Sequence, residues 1–137
     1  MEITIPFAEV SNYVEKHYGQ KIGLSSISDK EVEAIYKKKL VIMNFNLKVE
    51  ITIEEVQPAA VTISYDSNFA VEYAISKVLT FLKNKYRDFG NALTLHPGHK
   101  VTIDLLKIKD ADSLTSVLAL TDIEVRDENI VIMATLK

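Results

Sequence analysis

The sequence predicts an α+β fold in which a long, strongly bent antiparallel sheet wraps around one long helix, with a short helix near the N-terminus. Between positions 41 and 53 every odd-numbered residue is apolar, and most of the even-numbered residues are polar. Successive side chains of a strand point to opposite faces, so this segment is one strand of roughly 40–45 Å with one apolar face. Positions 69–89 carry an apolar stripe at helical spacing, which predicts a helix about 30 Å long. The two lengths match, so we expect the helix to lie along the concave face of the sheet.

The first half of the chain is predicted to hold one helix and four strands. Pro6 suits the first turn of a helix because its missing N–H has no partner there, and Gly19 is a suitable end, so we place a helix over residues 6–18. Strands are expected at 22–27 and 31–37, joined by a turn at 28–30. The long strand extends over residues 40–55, a break follows at 57–60, and the alternation then resumes as far as Tyr65 to form a hairpin.

The second half is predicted to be the main helix followed by strands. Three polar capping residues at 66–68 precede this helix, and Gly90 ends it. Apolar alternation predicts strands around 93–95, 101–105, 117–125 and 130–136, with a polar loop at 110–113. In the turn at 127–129 we expect Asn129 to adopt the left-handed conformation. Strands joined by such short turns form antiparallel sheets.

Composition limits the classes of partner. A chain of 137 residues is expected to form a single domain, residues 1–137. A net charge of −3 and a pI near 5.6 argue against nucleic acid or an anionic membrane as an obligate partner, because phosphate binding needs a positive surface. We interpret the run of lysines at 37–39 as a solvated strand end. The absence of cysteine excludes disulfides, thiolate catalysis and cysteine-based metal sites.

The N-terminal residues also bear on location. They lack the basic start and apolar core of a signal peptide, and no run of 18 apolar residues predicts a transmembrane helix. We therefore expect a cytoplasmic protein, or an extracytoplasmic one if a leader has been removed.

Three segments resemble the tubular lipid-binding (TULIP) superfamily, in which a long bent antiparallel sheet surrounds one long helix and often leaves an apolar channel. They are the opening helix IPFAEVSNYVEKHYG, the strand LVIMNFNLKVEITIEEV and the closing hairpin LALTDIEVRDENIVIMATLK. The similarity is one of pattern over most of the chain, and that family has no invariant catalytic motif. The resemblance implies non-catalytic binding of a lipid or another apolar molecule.

A ligand held between the long helix and the sheet would contact their apolar faces. The predicted lining residues are Met43, Phe45, Leu47, Val49, Ile51, Tyr65, Val71, Ile75, Val78 and Leu82. The same residues can instead pack solidly against one another, as protein interiors usually do. Sequence alone leaves both alternatives open.

His96 and His99 are the residues that come closest to a metal site. A two-residue turn at Pro97-Gly98 would place the two imidazoles side by side, where they could share a transition metal. No third ligand lies nearby, so the interpretation we favour is a surface hairpin with two solvated histidines. We predict no catalytic residue, no metal and no cofactor.

Three functions remain, and the sequence favours the first. It is binding of a lipid or other apolar small molecule in the groove between helix and sheet. The second is a structural or interaction protein that forms a homodimer through a sheet edge or an apolar sheet face. The third is an enzyme, for which the histidine pair is the only argument.

Overall fold

Two antiparallel sheets make up most of the structure. The structure is a computed structural model that describes residues 1–39, 44–66, 90–108 and 111–137 and the single positions 73, 76, 77, 80 and 84. The strands are β1 (Glu2–Pro6), β2 (Lys21–Ser26), β3 (Glu31–Lys39), β4 (Asn44–Gln57), β5 (Ala60–Tyr65), β6 (Leu93–His96), β7 (Lys100–Asp104), β8 (Leu118–Arg126) and β9 (Asn129–Leu136). The remaining elements are helix α1 (Phe7–Tyr18), a 3-10 turn (Leu105–Lys107) and the short helix α2 (Asp112–Thr115).

The strands divide into two sheets rather than forming the single bent sheet that the sequence predicts. The larger sheet has the order β2-β3-β4-β5-β7-β6, and the smaller has the order β1-β9-β8. All strand pairs are antiparallel, which confirms the predicted α+β, antiparallel class. The smaller sheet forms because β1 pairs with β9 at the other end of the chain. No local pattern predicts a pairing of such sequence separation.

Helix α1 closely follows its prediction. It begins at Phe7, directly after Pro6, which belongs to β1. The Phe7 N–H donates to the Glu128 carbonyl at 2.9 Å, so the β8–β9 turn supports the start of the helix. The helix ends at Gly19, whose φ of 66° is left-handed and whose N–H donates to the Glu15 carbonyl. A glycine adopts this conformation without strain, which is why it terminates the helix here.

The long strand is confirmed over its described part. Strand β4 has 14 residues, and residues 40–43 of the prediction lie outside the described ranges. The hairpin to β5 turns at Pro58 and Ala59, as expected. A bulge between Ile53 and Glu55 shifts the register with β5, and such a bulge increases the local bend and twist of a strand.

A small apolar cluster joins the two sheets. Phe7 from α1, Val32 from β3 and Val125 from β8 are buried against one another. Partly buried apolar residues surround them: Leu24, Ile51, Ile53 and Ile130. The edge of this contact is fixed by two main-chain hydrogen bonds, from the Val125 N–H to the Asp29 carbonyl at 2.8 Å and from the Leu120 N–H to the Pro58 carbonyl at 2.9 Å.

The Lys30 side chain forms a further connection at the same corner. Its ammonium group donates to the Asp122 carboxylate and, at 2.8 Å, to the Ile123 carbonyl. Asp122 follows a bulge in β8, where the register against β9 shifts between Leu120 and Asp122. The turn between β2 and β3 is therefore tied to the middle of β8.

A few residues of the predicted main helix are described. Tyr73, Ser76, Lys77, Thr80 and Asn84 are helical and exposed, and their spacing is that of one solvent-facing helical stripe. The predicted apolar stripe of this helix lies outside the described residues, so its packing into the sheet stays a prediction.

The prediction of a polar loop at 110–113 is wrong where it overlaps α2, since this short helix begins at Asp112. Within the described part of the chain, no helix is long and apolar enough to cross a membrane.

Candidate functional site

The larger sheet gathers its apolar side chains on one face, which we call the apolar face. Residues directly opposite each other in an antiparallel pair share a face, so the register alone assigns them. Its described members are Ile22, Leu24, Val32, Ala34, Tyr36, Leu47, Val49, Ile51, Ile53, Val61, Ile63, Tyr65, Leu93, Leu95, Val101 and Ile103. The face crosses all six strands, and the same register also places Ser26, opposite Val32, and Lys38, opposite Phe45, on it.

Burial varies across the apolar face. Leu47, Val61 and Val101 are buried, with exposures of 7%, 9% and 6%. Val49 and most of the other members are half-buried, and Leu95 at the β6 edge is 53% exposed. The end near the β2–β3 turn is closed, because the cluster around Val32 and Val125 packs the two sheets together there. The apolar face is thus closed at the β2–β3 end and also buried at Leu47, Val61 and Val101, while its half-buried members and Leu95 remain partly accessible.

The structure brings together the predicted lining residues that it describes. Leu47, Val49, Ile51 and Tyr65 lie on the apolar face. Phe45 belongs to β4 and pairs with Lys38, and its side chain is outside the described part. The other predicted lining residues, Met43, Val71, Ile75, Val78 and Leu82, also lie outside the described residues.

The sequence prediction missed most of the apolar face. Members on β2, β6 and β7, such as Leu24, Leu93 and Val101, were predicted as strand residues but not as part of the same site. The alternation within each strand indicates which residues share a face of that strand. It does not indicate the order of the strands, which decides whether those faces join.

The structure separates the two histidines. The prediction of a two-residue turn is wrong, because His96 pairs with Lys100 and the turn therefore comprises Pro97, Gly98 and His99. His96 Nε2 lies 2.7 Å from the Thr102 hydroxyl on the polar face of the sheet. The His99 ring instead packs edge-to-face on Tyr65, with ring centroids 5.4 Å apart. The two imidazoles thus have different described neighbours, His96 on Thr102 and His99 on Tyr65.

A chain of hydrogen bonds follows from His96 across the polar face. The Thr102 hydroxyl also lies 2.9 Å from the Thr62 hydroxyl on β5. Nucleophilic catalysis by a hydroxyl needs a base that is itself held by a third group, and the contact described for His96 is the one with Thr102. No group of three metal-ligating side chains occurs among the residues that the structure describes. We assign no catalytic role to this chain of hydrogen bonds.

The described ion pairs stabilise the fold and lie away from the apolar face. Hydrogen bonding from Lys30 is the main reason that the pKa of Asp122 falls below its usual value of 3.8, assisted by the Ile123 N–H and opposed by desolvation. Arg126 of β8 pairs with Glu124 at 2.7 Å and with Glu2 of β1 at 3.5 Å. These carboxylates, Glu124 foremost, raise the pKa of the guanidinium. The arginine thereby spans the three strands of the smaller sheet.

Comparison of the chain with protein-family models, with curated proteins and with solved structures found no match. The resemblance to the tubular lipid-binding superfamily therefore stays a prediction, and the function must be argued from the geometry of the sheet.

Proposed function

We propose that this protein binds a lipid or another apolar small molecule against the apolar face of the larger sheet, without catalysing a reaction. The observation that supports this most is the continuity of the apolar face over six strands, with most of its members only half-buried. When a ligand covers apolar side chains that water can reach, the free energy falls by about 25 cal/mol for each Å² of apolar surface removed from water. A concave, mainly apolar surface is the usual form of a small-molecule site.

The polar groups on the apolar face indicate what kind of ligand would suit it. Ser26, Tyr36 and Tyr65 are the residues on this face that carry a hydroxyl, and the Tyr36 hydroxyl donates to the Gln20 side chain. His99 lies beside Tyr65 at the β5–β7 end. Polar contacts are thus confined to the ends of the face. A mainly hydrocarbon ligand with a small polar terminus fits this distribution.

Filling the middle of the apolar face tests the proposal. Ala34 is half-buried and small, and it lies opposite Val49, so Ala34→Phe places a ring where the ligand would lie. We expect this variant to bind an environment-sensitive apolar fluorophore at least about ten-fold more weakly than the wild type. The matched control is Ser25→Phe, which adds the same ring at an exposed position on the other face of β2. Equal affinity of the two variants would contradict the proposal.

A homodimer through the edge of β6 is the second candidate. Among the described strands, β6 is the last of the larger sheet. The Asp104 N–H donates to the Ala92 carbonyl. Hydrogen-bonded positions alternate along an antiparallel pair, so Thr94 and His96 also direct their main-chain groups to β7. Leu93 and Leu95 therefore direct their main-chain groups outward. An edge with outward main-chain groups and an exposed leucine can pair with a second copy.

Sedimentation of the wild type and of Leu95→Lys tests the dimer. A charge on an edge strand blocks pairing, so a dimer formed through β6 should become a monomer in this variant. The control is Ser116→Lys, which adds the same charge at an exposed position outside the larger sheet. A wild-type protein that is monomeric at high concentration would contradict the dimer and leave the ligand proposal unaffected.

A further inference from the structure

Three lysines lie together on the polar face of the larger sheet, and we call them the lysine patch: Lys21, Lys37 and Lys48. Lys21 of β2 is directly opposite Lys37 of β3. Lys48 of β4 is opposite Ile35, which makes it a diagonal neighbour of Lys37 on the same face. Directly opposite side chains have Cβ atoms about 5 Å apart, and diagonal neighbours are about 7–8 Å apart. The strand register therefore concentrates three positive charges that are dispersed along the sequence.

The lysine patch is exposed, and its three lysines outnumber the two glutamates that lie beside Lys48 on the same face. All three side chains are exposed, and the ion pairs found among the described residues involve Lys30 and Arg126 instead. The acidic residues next to it on this face, Glu33 and Glu50, oppose each other one step closer to the β2–β3 turn. Like charges directly across a strand pair are destabilising. The arrangement is a local positive surface on a chain whose net charge is −3.

An isoleucine lies in the middle of the lysine patch. Ile35 shares the face of Lys37 and Lys48, although the other β3 residues on this face are all charged. Its partner on β2 is Gly23, where an added Cβ would meet nothing within 4 Å. One flank of the isoleucine is therefore open. A lone aliphatic side chain next to three lysines suits an interface with hydrocarbon on one side and anionic groups around it.

We propose that the lysine patch docks the protein on an anionic phospholipid membrane, with Ile35 contacting the boundary between headgroups and acyl chains. The choice of a membrane over another polyanion rests on the proposed function, because an apolar ligand is drawn from a bilayer. It also rests on Ile35, which contact with a soluble polyanion would not require. On the other side of the same strands lie Ile22, Tyr36 and Leu47 of the apolar face.

Vesicle flotation with a charge-matched control tests the docking surface. The vesicles contain phosphatidylcholine with about 30% phosphatidylserine, or phosphatidylcholine alone, in about 50 mM NaCl so that screening is weak. The variant carries Lys21→Gln, Lys37→Gln and Lys48→Gln. The control carries Lys100→Gln, Lys107→Gln and Lys137→Gln, three exposed lysines outside the patch, so both proteins change net charge equally.

We expect the wild type to bind the anionic vesicles and not the neutral ones. Each lysine near an anionic surface contributes about five-fold in affinity, so the patch variant should lose on the order of a hundred-fold. The control should bind within about three-fold of the wild type. Equal losses in the two variants would show that net charge alone governs binding and would overturn the proposal. Failure of the wild type to float with anionic vesicles would overturn it as well.

Two further measurements separate the membrane from other partners and from the ligand site. Ile35→Thr keeps a β-branched residue but removes apolar contact, and it should weaken vesicle binding several-fold; no change would contradict the membrane interface. If the protein binds a single-stranded oligonucleotide but not the vesicles, and this binding needs the same three lysines, a membrane is not the partner. The patch variant should bind the apolar fluorophore as the wild type does. If the wild type and the variants all fail to bind the fluorophore but the wild type still floats with anionic vesicles, the ligand proposal fails and the docking surface stands.

Discussion

At the residue scale, the β8–β9 turn holds two residues in an unfavourable backbone conformation. Asp127 and Glu128 have φ values of 48° and 63°, so the expectation that Asn129 adopts the left-handed conformation is wrong. A two-residue turn with φ positive at both central positions matches the twist of antiparallel strands, and it usually carries asparagine and glycine. This chain has two acidic residues there, and the strand pairing on both sides imposes the turn.

Glu128→Gly should therefore stabilise the protein. A non-glycine residue pays about 1 kcal/mol or more for a left-handed backbone, and part of the gain is offset because glycine is more flexible when unfolded. We expect the free energy of unfolding to rise by about 0.5–1 kcal/mol, measured by urea denaturation. Glu128→Ala removes the same charge but keeps the strain, so it should show no such gain. Equal stability of the two variants would contradict this account of the turn.

The Lys30–Asp122 pair gives a second prediction at this scale. Because the pKa of Asp122 is lowered in the folded state, its contribution to stability is present above the usual value of 3.8 and is lost as the pH falls through the lower folded pKa. Both side chains are about one-third exposed, at 34% and 37%, so solvent screening limits the effect. We expect Asp122→Asn to reduce stability by about 0.5–1 kcal/mol at neutral pH.

Urea denaturation at several pH values checks this sign. The difference between wild type and Asp122→Asn should shrink toward zero as the pH is lowered below 3.8. A difference that stays constant with pH would show that the carboxylate charge is not what ties Lys30 to β8.

At the scale of elements, the orientation of β4 is the feature on which the site depends. Leu47 is 7% exposed, whereas Lys48 beside it is exposed on the other face. Leu47→Asp would bury an unpaired charge, and we expect it to lower stability by at least about 3 kcal/mol. Lys48→Asp is the matched control and should have little effect on stability. A soluble Leu47→Asp protein with the wild-type melting temperature would mean that the two faces are reversed.

Much of the fold at this scale was predictable from local patterns. Alternation located the described strands from β2 to β9, because the hydrophobic face of a strand is encoded residue by residue. Gly19 marked the end of α1 for a reason specific to glycine. The pairing of β1 with β9 and the order β5-β7-β6 could not be predicted, since they depend on contacts between segments far apart in the chain. The lysine patch was missed for the same reason: only the register places Lys21 opposite Lys37.

At the scale of the whole molecule, the two sheets share one small cluster and leave most of the apolar face to other contacts. The cluster of Phe7, Val32 and Val125 closes the face at the β2–β3 turn. The candidate site could be predicted only in part. Alternation alone identifies four of its lining residues on β4 and β5. The contribution of the other strands depends on the order of strands in the sheet, which local patterns do not encode. Whether a ligand, the main helix or a second copy covers the open part decides the function.

Native mass spectrometry of the freshly purified protein, followed by a denatured spectrum and organic extraction of the same sample, tests the central claim most directly. The account predicts a monomer that carries extra mass, which disappears on denaturation and is recovered in the organic phase. A bare dimer, with nothing extracted, would contradict ligand binding and would assign the open part of the apolar face or the β6 edge to a second copy of the chain.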